Sequence, residues 1–543
     1  MKIGIIGSGP AAVASATAVL SKGHTVEIVD FGNQAETQSH ELAAKMRNGN
    51  VTSQDQRLLS SSRSSRGPLH FLLRILSATF GQGAMLEMDG KKRLGSLYTF
   101  KDVDWGIPIS GTPILRSLAK GGLSNVWGAA CYPLSRTDYD RWPLAETELR
   151  PHYDKAAHIL SLMQVQDHLE AVYPIYGATG QPLELNPPAD SLLRFWNQNK
   201  ERLLEKDIVF GRTRLAVRTQ ENGGDAECQR CGYCLCGCPY DSIYRASWTL
   251  KDLSKHAAFK YRPRLLVRQF SESAEEVQVR AVEAETGRER VFGFDKLILA
   301  AGTLSSLRIA AESLGHLNRS VKLLDNDLYL VPFLNKTTGA GKIHFSLNEL
   351  ALRLNIQGQP VHIQFYCMND QIVDQFRPVL SFFPGFLEKW LRELLGQVLI
   401  AFVYLASDVS GKITASITQG NPVGTSHVDI RANQESKTIL KGALKYLATH
   451  RRFLGMKRIG PAFRAGPGGP SGGHVSGSLP MNANPGPLQT YSDGRLYETD
   501  HVYVTDGSSI PYLPAQNSTY TIMANAHRIS SGIADTRDTM EYV

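Results

Sequence analysis

The first thirty residues constrain this chain more than any other part of it. They read MKIGIIGSGPAAVASATAVL followed by SKGHTVEIVD. The pattern predicts a short buried strand from Lys2 to Ile6, a tight turn from Gly7 to Ala12, an alanine-rich helix from Ala12 to Leu20, and a second strand from His24 to Val29. This is a βαβ opening with the spacing GxGxxA on Gly7, Gly9 and Ala12. Gly7 permits the tight turn, Gly9 lets backbone approach a pyrophosphate, and small Ala12 lets helix and strand pack closely. Pro10 and Ala11 complete the turn, and the helix N terminus offers unpaired N–H groups and partial positive charge to a phosphate. Asp30 closes the second strand, placed to accept hydrogen bonds from an adenosine ribose. A turn that served packing alone would leave that acid unexplained.

Length and composition agree with a globular nucleotide-binding protein of two units. The 543 residues exceed what one hydrophobic core usually organises. Basic residues number 59 against 51 acidic ones, and both are spread along the chain. A net charge of +8 arranged this way predicts a solvated surface rather than a nucleic-acid footprint. Arg451, Arg452, Lys457 and Arg458 form a local basic cluster suited to an acidic substrate or partner. The amino-terminal apolar run superficially resembles a secretory signal, but its removal would destroy the glycine turn. The apolar stretch from Phe382 to Ala406 is broken by Glu388, Lys389, Arg392 and Glu393, which predicts an amphipathic helix followed by a strand. Membrane-surface contact is left open, and the expected location is cytoplasmic.

Five of the seven cysteines crowd into CQRCGYCLCGCPY. Cys228, Cys231, Cys234 and Cys238, followed by Pro239, have the CxxCxxCxxxCP spacing of bacterial ferredoxins, with Cys236 as an extra member. Such crowding fits metal ligation in a reducing compartment better than a disulfide framework. Three readings stay open: an iron-sulfur cluster, a structural zinc ion, and unmetallated thiols or a disulfide.

The remaining landmarks are spread along the chain. KGGLSNVWG, from Lys120, brings small residues where backbone runs close to a flat ligand. LLVRQF, VQVRAVEA and FDKLILAAGT read as strands, and the last ends in Ala300, Ala301 and Gly302. VHIQFYCMND, LIAFVYLAS, KITASIT and SHVDIRA alternate as strands of an antiparallel sheet. A strand at Val502 to Val504 and a helix from about Thr519 close the chain, while residues 33 to 70 read as a polar surface excursion.

Taken in order, GSGPAA at 7 to 12, GGLSNVWG at 121 to 128, DYDRWPL at 138 to 144, LAAGT at 299 to 303, GGHVSG at 472 to 477 and the stretch from His501 to Arg528 resemble the glucose-methanol-choline (GMC) oxidoreductases, in particular their bacterial dehydrogenase branch. The resemblance implies an α/β fold: a Rossmann-type FAD-binding domain with an interleaved antiparallel-sheet substrate domain. FAD-binding segments are expected at 1–155, 206–318 and 456–543, a connecting helical segment at 156–205, and the substrate domain at 319–455. It also implies that Asp506 and Gly507 lie in a late flavin-contacting loop with Thr519 beyond it. Gly122, Ser124 and Asn125 would sit beside the ring, and Val267 near the adenine.

His474 and Asn517 match the family's active-site pair. The resemblance casts His474 as the general base and Asn517 as the hydrogen-bonding partner that orients the reacting carbon and steadies alkoxide charge. The family usually carries Pro after that Asn, whereas this chain has Ser518. His501 and His527 read as structural. The expected activity is FAD-dependent oxidation of a CH–OH group, with a carbohydrate as the favoured substrate and a steroid or long-chain alcohol left open. The acceptor would be a protein or quinone reached through the cysteine run. An oxygen-using oxidase and a flavin-fold protein with non-redox chemistry are the competing readings.

Overall fold

The computed structural model describes residues 1–34, 37–52, 55, 94–96, 98–100, 107–177, 180–219, 227–337, 343–368, 384–421, 423–465 and 473–535. Most of the polar excursion, Gly472 and the glycine-rich stretch from Gly466 lie outside them.

The opening strand Lys2–Ile6 is the middle of a five-stranded parallel sheet. Its neighbours are Thr25–Val29 on one side and Lys296–Leu299 on the other, with Phe259–Arg262 and Val502–Val504 at the edges. Ile3, Ile5, Val26, Ile28, Leu297 and Ile298 are all fully buried, because a parallel sheet is covered on both faces and its strands are apolar throughout. The covering helix Pro10–Ser21 is rich in alanine. Its small side chains let it pack closely against the carboxy-terminal helix Thr519–Asp535, which in turn packs on Glu146–Leu160. Two polypeptide segments more than 490 residues apart thus meet in one layer; Ser15 Oγ lies 3.2 Å from Thr505 Oγ1.

The second unit is an antiparallel sheet with the order Met456–Arg458, Leu328–Asn335, Val398–Leu405, Gln359–Cys367, Leu350–Ile356, Val209–Arg212. It draws strands from both sides of residues 319–455. Strand alternation divides its two faces. Val361, Ile363, Phe365, Leu399, Ala401 and Val403 point to a core shared with Trp196 and the helix Gln434–Thr449. His362, Gln364, Tyr366, Phe402 and Tyr404 take the opposite face, where cross-strand register sets His362 against Tyr404 and Gln364 against Phe402. The expected amphipathic helix spans Gly385–Gly396, with Phe386 and Trp390 exposed and Leu391 and Leu395 resting on Met368 and Val398. Among the described residues no helix is long and apolar enough to cross a membrane.

Candidate active site

Hydrogen bonds continue past the ends of the parallel strands and gather their turns at one edge. Gly7 N–H donates to the Val29 carbonyl (3.0 Å), Ala300 N–H to Ile6 (2.9 Å) and Thr505 N–H to Leu299 (3.0 Å). The turns 7–12, 300–302 and 506–507 therefore meet at the carboxyl edge, where ligands bind in sheets of this type. Gly7 has φ +101°, and a methyl group there would overlap the Ala300 carbonyl oxygen. Gly9 and Gly302 are the reverse case, because among the described residues no atom beyond their chain neighbours lies within 4 Å of where their Cβ atoms would stand. The loop from Gly121 lies against this turn; a Cβ on Gly122 would be 3.3 Å from Gly9 Cα.

Ser8 holds these pieces in register. Its hydroxyl accepts from Gly121 N–H (3.0 Å) and donates to Asp30 Oδ2, which also accepts from the Tyr261 hydroxyl (2.9 Å). Burial outweighs these bonds and pushes the Asp30 carboxyl up to about 6. A carboxylate has about four acceptor sites, so Asp30 keeps capacity for a ribose hydroxyl. Open space over Gly9 and Gly302, a helix N terminus and an acid at the end of the second strand fit the adenosine diphosphate half of a dinucleotide.

Several expected cofactor residues brace the protein itself. Ser124 Oγ donates to the Gly121 carbonyl (2.6 Å) and accepts from Ala246 N–H (2.9 Å). Asn125 Nδ2 donates to the carbonyls of Lys120 (3.0 Å) and Gly122 (2.9 Å). Asp506 clamps two turns together: Oδ2 accepts from Gly302 N–H (2.7 Å) and Ser306 Oγ (2.6 Å), and Oδ1 from Ser508 N–H (2.8 Å). Gly507 follows in a short 3-10 turn and Thr519 opens the last helix. Val267 is buried in the cluster that holds Ile6, Val29 and Leu304, with Ala301 against it, and its carbonyl accepts from Arg308 (2.6 Å).

His474 and Asn517 come together across the sequence gap between them: Asn517 Nδ2 lies 3.2 Å from His474 Nε2. The imidazole stacks on Tyr404 with ring centroids 5.7 Å apart, and its Nδ1 is 3.0 Å from Asn326 Oδ1. Asn517 is braced in turn by Gln364, whose Nε2 donates to Asn517 Oδ1 and lies 3.1 Å from His362 Nε2. His362 Nδ1 then reaches the Tyr173 hydroxyl at 3.2 Å. His474 keeps partial exposure, yet burial by its surroundings pushes it down to about 4. Asn517 needs no proline behind it, since Ser518 starts the helix by accepting from Ile522 N–H (2.9 Å). His501 pairs with Glu272 (3.0 Å), and His527 with His152 (2.9 Å). Neither contacts His474.

Asn326, His362 and Gln364 are site residues that the motifs did not reveal. A signal existed for the last two. In VHIQFYC the apolar residues alternate with His, Gln and Tyr, so one face of a buried strand carries polar groups.

The cysteine run packs beside the 121–128 loop. A small cavity is lined by Ser124, Asn125 and Trp127 from that loop and by Cys234, Cys238 and Arg245. The thiols of Cys228 and Cys231 are pushed up to about 12, first by burial and then by neighbouring thiols that include Cys234 and Cys238. Cys236 instead packs with Met46 and Leu94. None of the seven cysteines forms a disulfide. Among the described residues no three His, Cys, Asp or Glu side chains are gathered closely enough to hold a metal ion.

The turns at the carboxyl edge of the parallel sheet form a cradle that fits a dinucleotide, while His474 and Asn517 pair in loops beside the polar face of the antiparallel sheet, against Tyr404 and Gln364. The family description of the GMC oxidoreductases matches residues 462–526, the segment that carries both His474 and Asn517. The fold is similar to that of pyridoxine 4-oxidase from Mesorbium loti, with a TM-score of 0.58 over 98% of both chains at 13% identity. A comparison with curated protein sequences found no match.

Proposed function

We propose that this protein oxidises the CH–OH group of a small alcohol or sugar, with His474 as general base and Asn517 as the group that orients the substrate oxygen. The observation that carries this reading is the half-buried placement of His474 Nε2 beside Asn517 Nδ2. An alcohol gives up hydride readily only as its hydroxyl proton leaves. His474 Nε2 takes that proton, while the Asn517 amide donates to the oxygen and offsets the developing negative charge. FAD, when bound, accepts the hydride. Tyr366, Phe402 and Tyr404 supply an aromatic wall on the same sheet face, which suits the apolar faces of a sugar as well as a ring alcohol.

Anaerobic reduction of the flavin by a panel of sugars, polyols and hydrophobic alcohols tests the reading. Bleaching by one class identifies the substrate type; no bleaching by any of them overturns it. The imidazole is neutral, and so competent as a base, above its value of about 4. Tyr404, which stacks on it, and His362, which interacts with it, are uncharged near neutrality because burial pushes the phenol up and the imidazole down to about 3. The reductive rate should thus be flat through neutrality and fall as pH drops through about 4. A rate profile with its acid limb near the unperturbed histidine value of about 6.5 would show that the site is less enclosed.

The acceptor is proposed to be a protein or quinone rather than oxygen. The ferredoxin-like spacing supports an iron-sulfur cluster on Cys228, Cys231, Cys234 and Cys238, whose thiols would have to draw closer together than they stand in this structure. Anaerobically purified protein should then contain iron and sulfide, and Cys234→Ser should lose them. Zinc without iron would make the run structural. The likeness to an oxidase favours a second reading, with oxygen as acceptor. Stoichiometric peroxide during turnover without added acceptor would establish it.

A further inference from the structure

We infer that Asn326 is a positioning residue that fixes His474 as the Nδ1–H tautomer and so leaves the Nε2 lone pair facing Asn517. The inference rests on the reading of His474 as base. It begins with strand register. Leu324 and Ser476 form an antiparallel bridge, with Leu324 N–H donating to Ser476 O (2.8 Å) and Ser476 N–H to Leu324 O (3.0 Å). Two residues further along each antiparallel partner, Asn326 stands opposite His474, and its Oδ1 lies 3.0 Å from Nδ1.

The Asn326 amide has only one workable orientation. Its Nδ2 donates to the carbonyls of Leu405 (2.8 Å) and Pro514 (2.6 Å), and the residue is fully buried. A flipped amide would set its oxygen against two carbonyl oxygens and leave a buried donor pointing at the ring. The oxygen therefore faces Nδ1 and demands a proton there, and in an imidazole the hydrogen bond made by one nitrogen decides the state of the other.

The far side of the ring favours the same state more weakly, since Asn517 is only half-buried where Asn326 is fully buried. Asn517 Oδ1 accepts from Gln364 Nε2, which turns the Asn517 Nδ2 donor toward Nε2. A donor at that distance requires a lone pair on Nε2. Two carboxamides, each oriented by its own outer partners, thus hold one imidazole between them in the state a base needs. Asn326 also ties together the end of strand Val398–Leu405 and the loop that carries Asn517, so one side chain positions both members of the pair.

The test compares Asn326→Leu with Asn326→Asp, since aspartate keeps an acceptor opposite Nδ1 while leucine does not. Side-chain 15N spectra of the flavin-loaded protein at neutral pH, with His474 assigned by its disappearance in His474→Gln, read the tautomer directly. Wild-type protein should show a protonated Nδ1 and an unprotonated Nε2. Asn326→Leu should shift Nε2 toward the protonated state and slow flavin reduction at least tenfold, with substrate affinity changed less than twofold. Asn326→Asp should keep the wild-type tautomer and move the acid limb of the rate profile to higher pH, because a carboxylate stabilises the imidazolium. An Nε2-protonated wild-type ring, or an Asn326→Leu protein with unchanged 15N shifts, overturns the inference. Full activity in His474→Gln would overturn the base assignment instead, and the 15N spectra would still report on Asn326.

Discussion

His474→Ala is expected to slow reduction of the flavin by substrate about 10²–10⁴-fold, the range general base catalysis supplies, while leaving the flavin bound. The separation follows from geometry. The His474 imidazole meets the two amides Asn326 and Asn517 and the Tyr404 ring, whereas the cradle over Gly9 and Gly302 is built from other turns. Removing the ring therefore takes away the proton acceptor without touching the phosphate-binding edge. Rapid-mixing absorbance under anaerobic conditions measures the loss, and the unreduced flavin spectrum reports occupancy. His501→Ala is the matched comparison, since its partner is Glu272 and it lies away from the site. Reduction of His474→Ala at the wild-type rate would remove the assigned base and with it the proposed chemistry.

Gly9→Ala is expected to cost FAD affinity ten- to a hundredfold with no loss of stability in the cofactor-free protein, whereas Gly7→Ala should destabilise the fold itself. The two glycines sit in one turn but meet different surroundings. At Gly7 the backbone is at φ +101° and an added methyl collides with the Ala300 carbonyl oxygen, and such strain costs about 1–3 kcal/mol. At Gly9 the same methyl enters space that none of the described residues occupies, so a ligand approaching the turn would feel it. Thermal unfolding of the cofactor-free variants and fluorescence titration with FAD separate the two effects. Wild-type FAD affinity in Gly9→Ala would mean that the cofactor does not pass over this turn.

How far a sequence can be read depends on how local the cause is. The turn from Gly7 to Ala12, the strands around it and the helix from Thr519 were legible because each is set by spacing, side-chain size and periodicity within about ten residues. The pairing of His474 with Asn517 was reached through resemblance, since nothing local says that residues 43 positions apart touch. Cys236 read as an extra member of the cysteine run, and packing separated it from the other four by sending its side chain to Met46 and Leu94.

By itself the amino-terminal sequence determined a dinucleotide-binding βαβ unit, because glycine at a positive φ and an acid at a strand end have few other uses in that order. Which polar residues surround His474 was decided by tertiary structure. Asn326 faces His474 through the bridge between Leu324 and Ser476, and Gln364 and His362 reach the site from the middle of a different sheet. The physical reason is that the state of an imidazole is set by whatever lies within hydrogen-bond distance of its two nitrogens, and that distance is closed here by strand register across segments far apart in the chain.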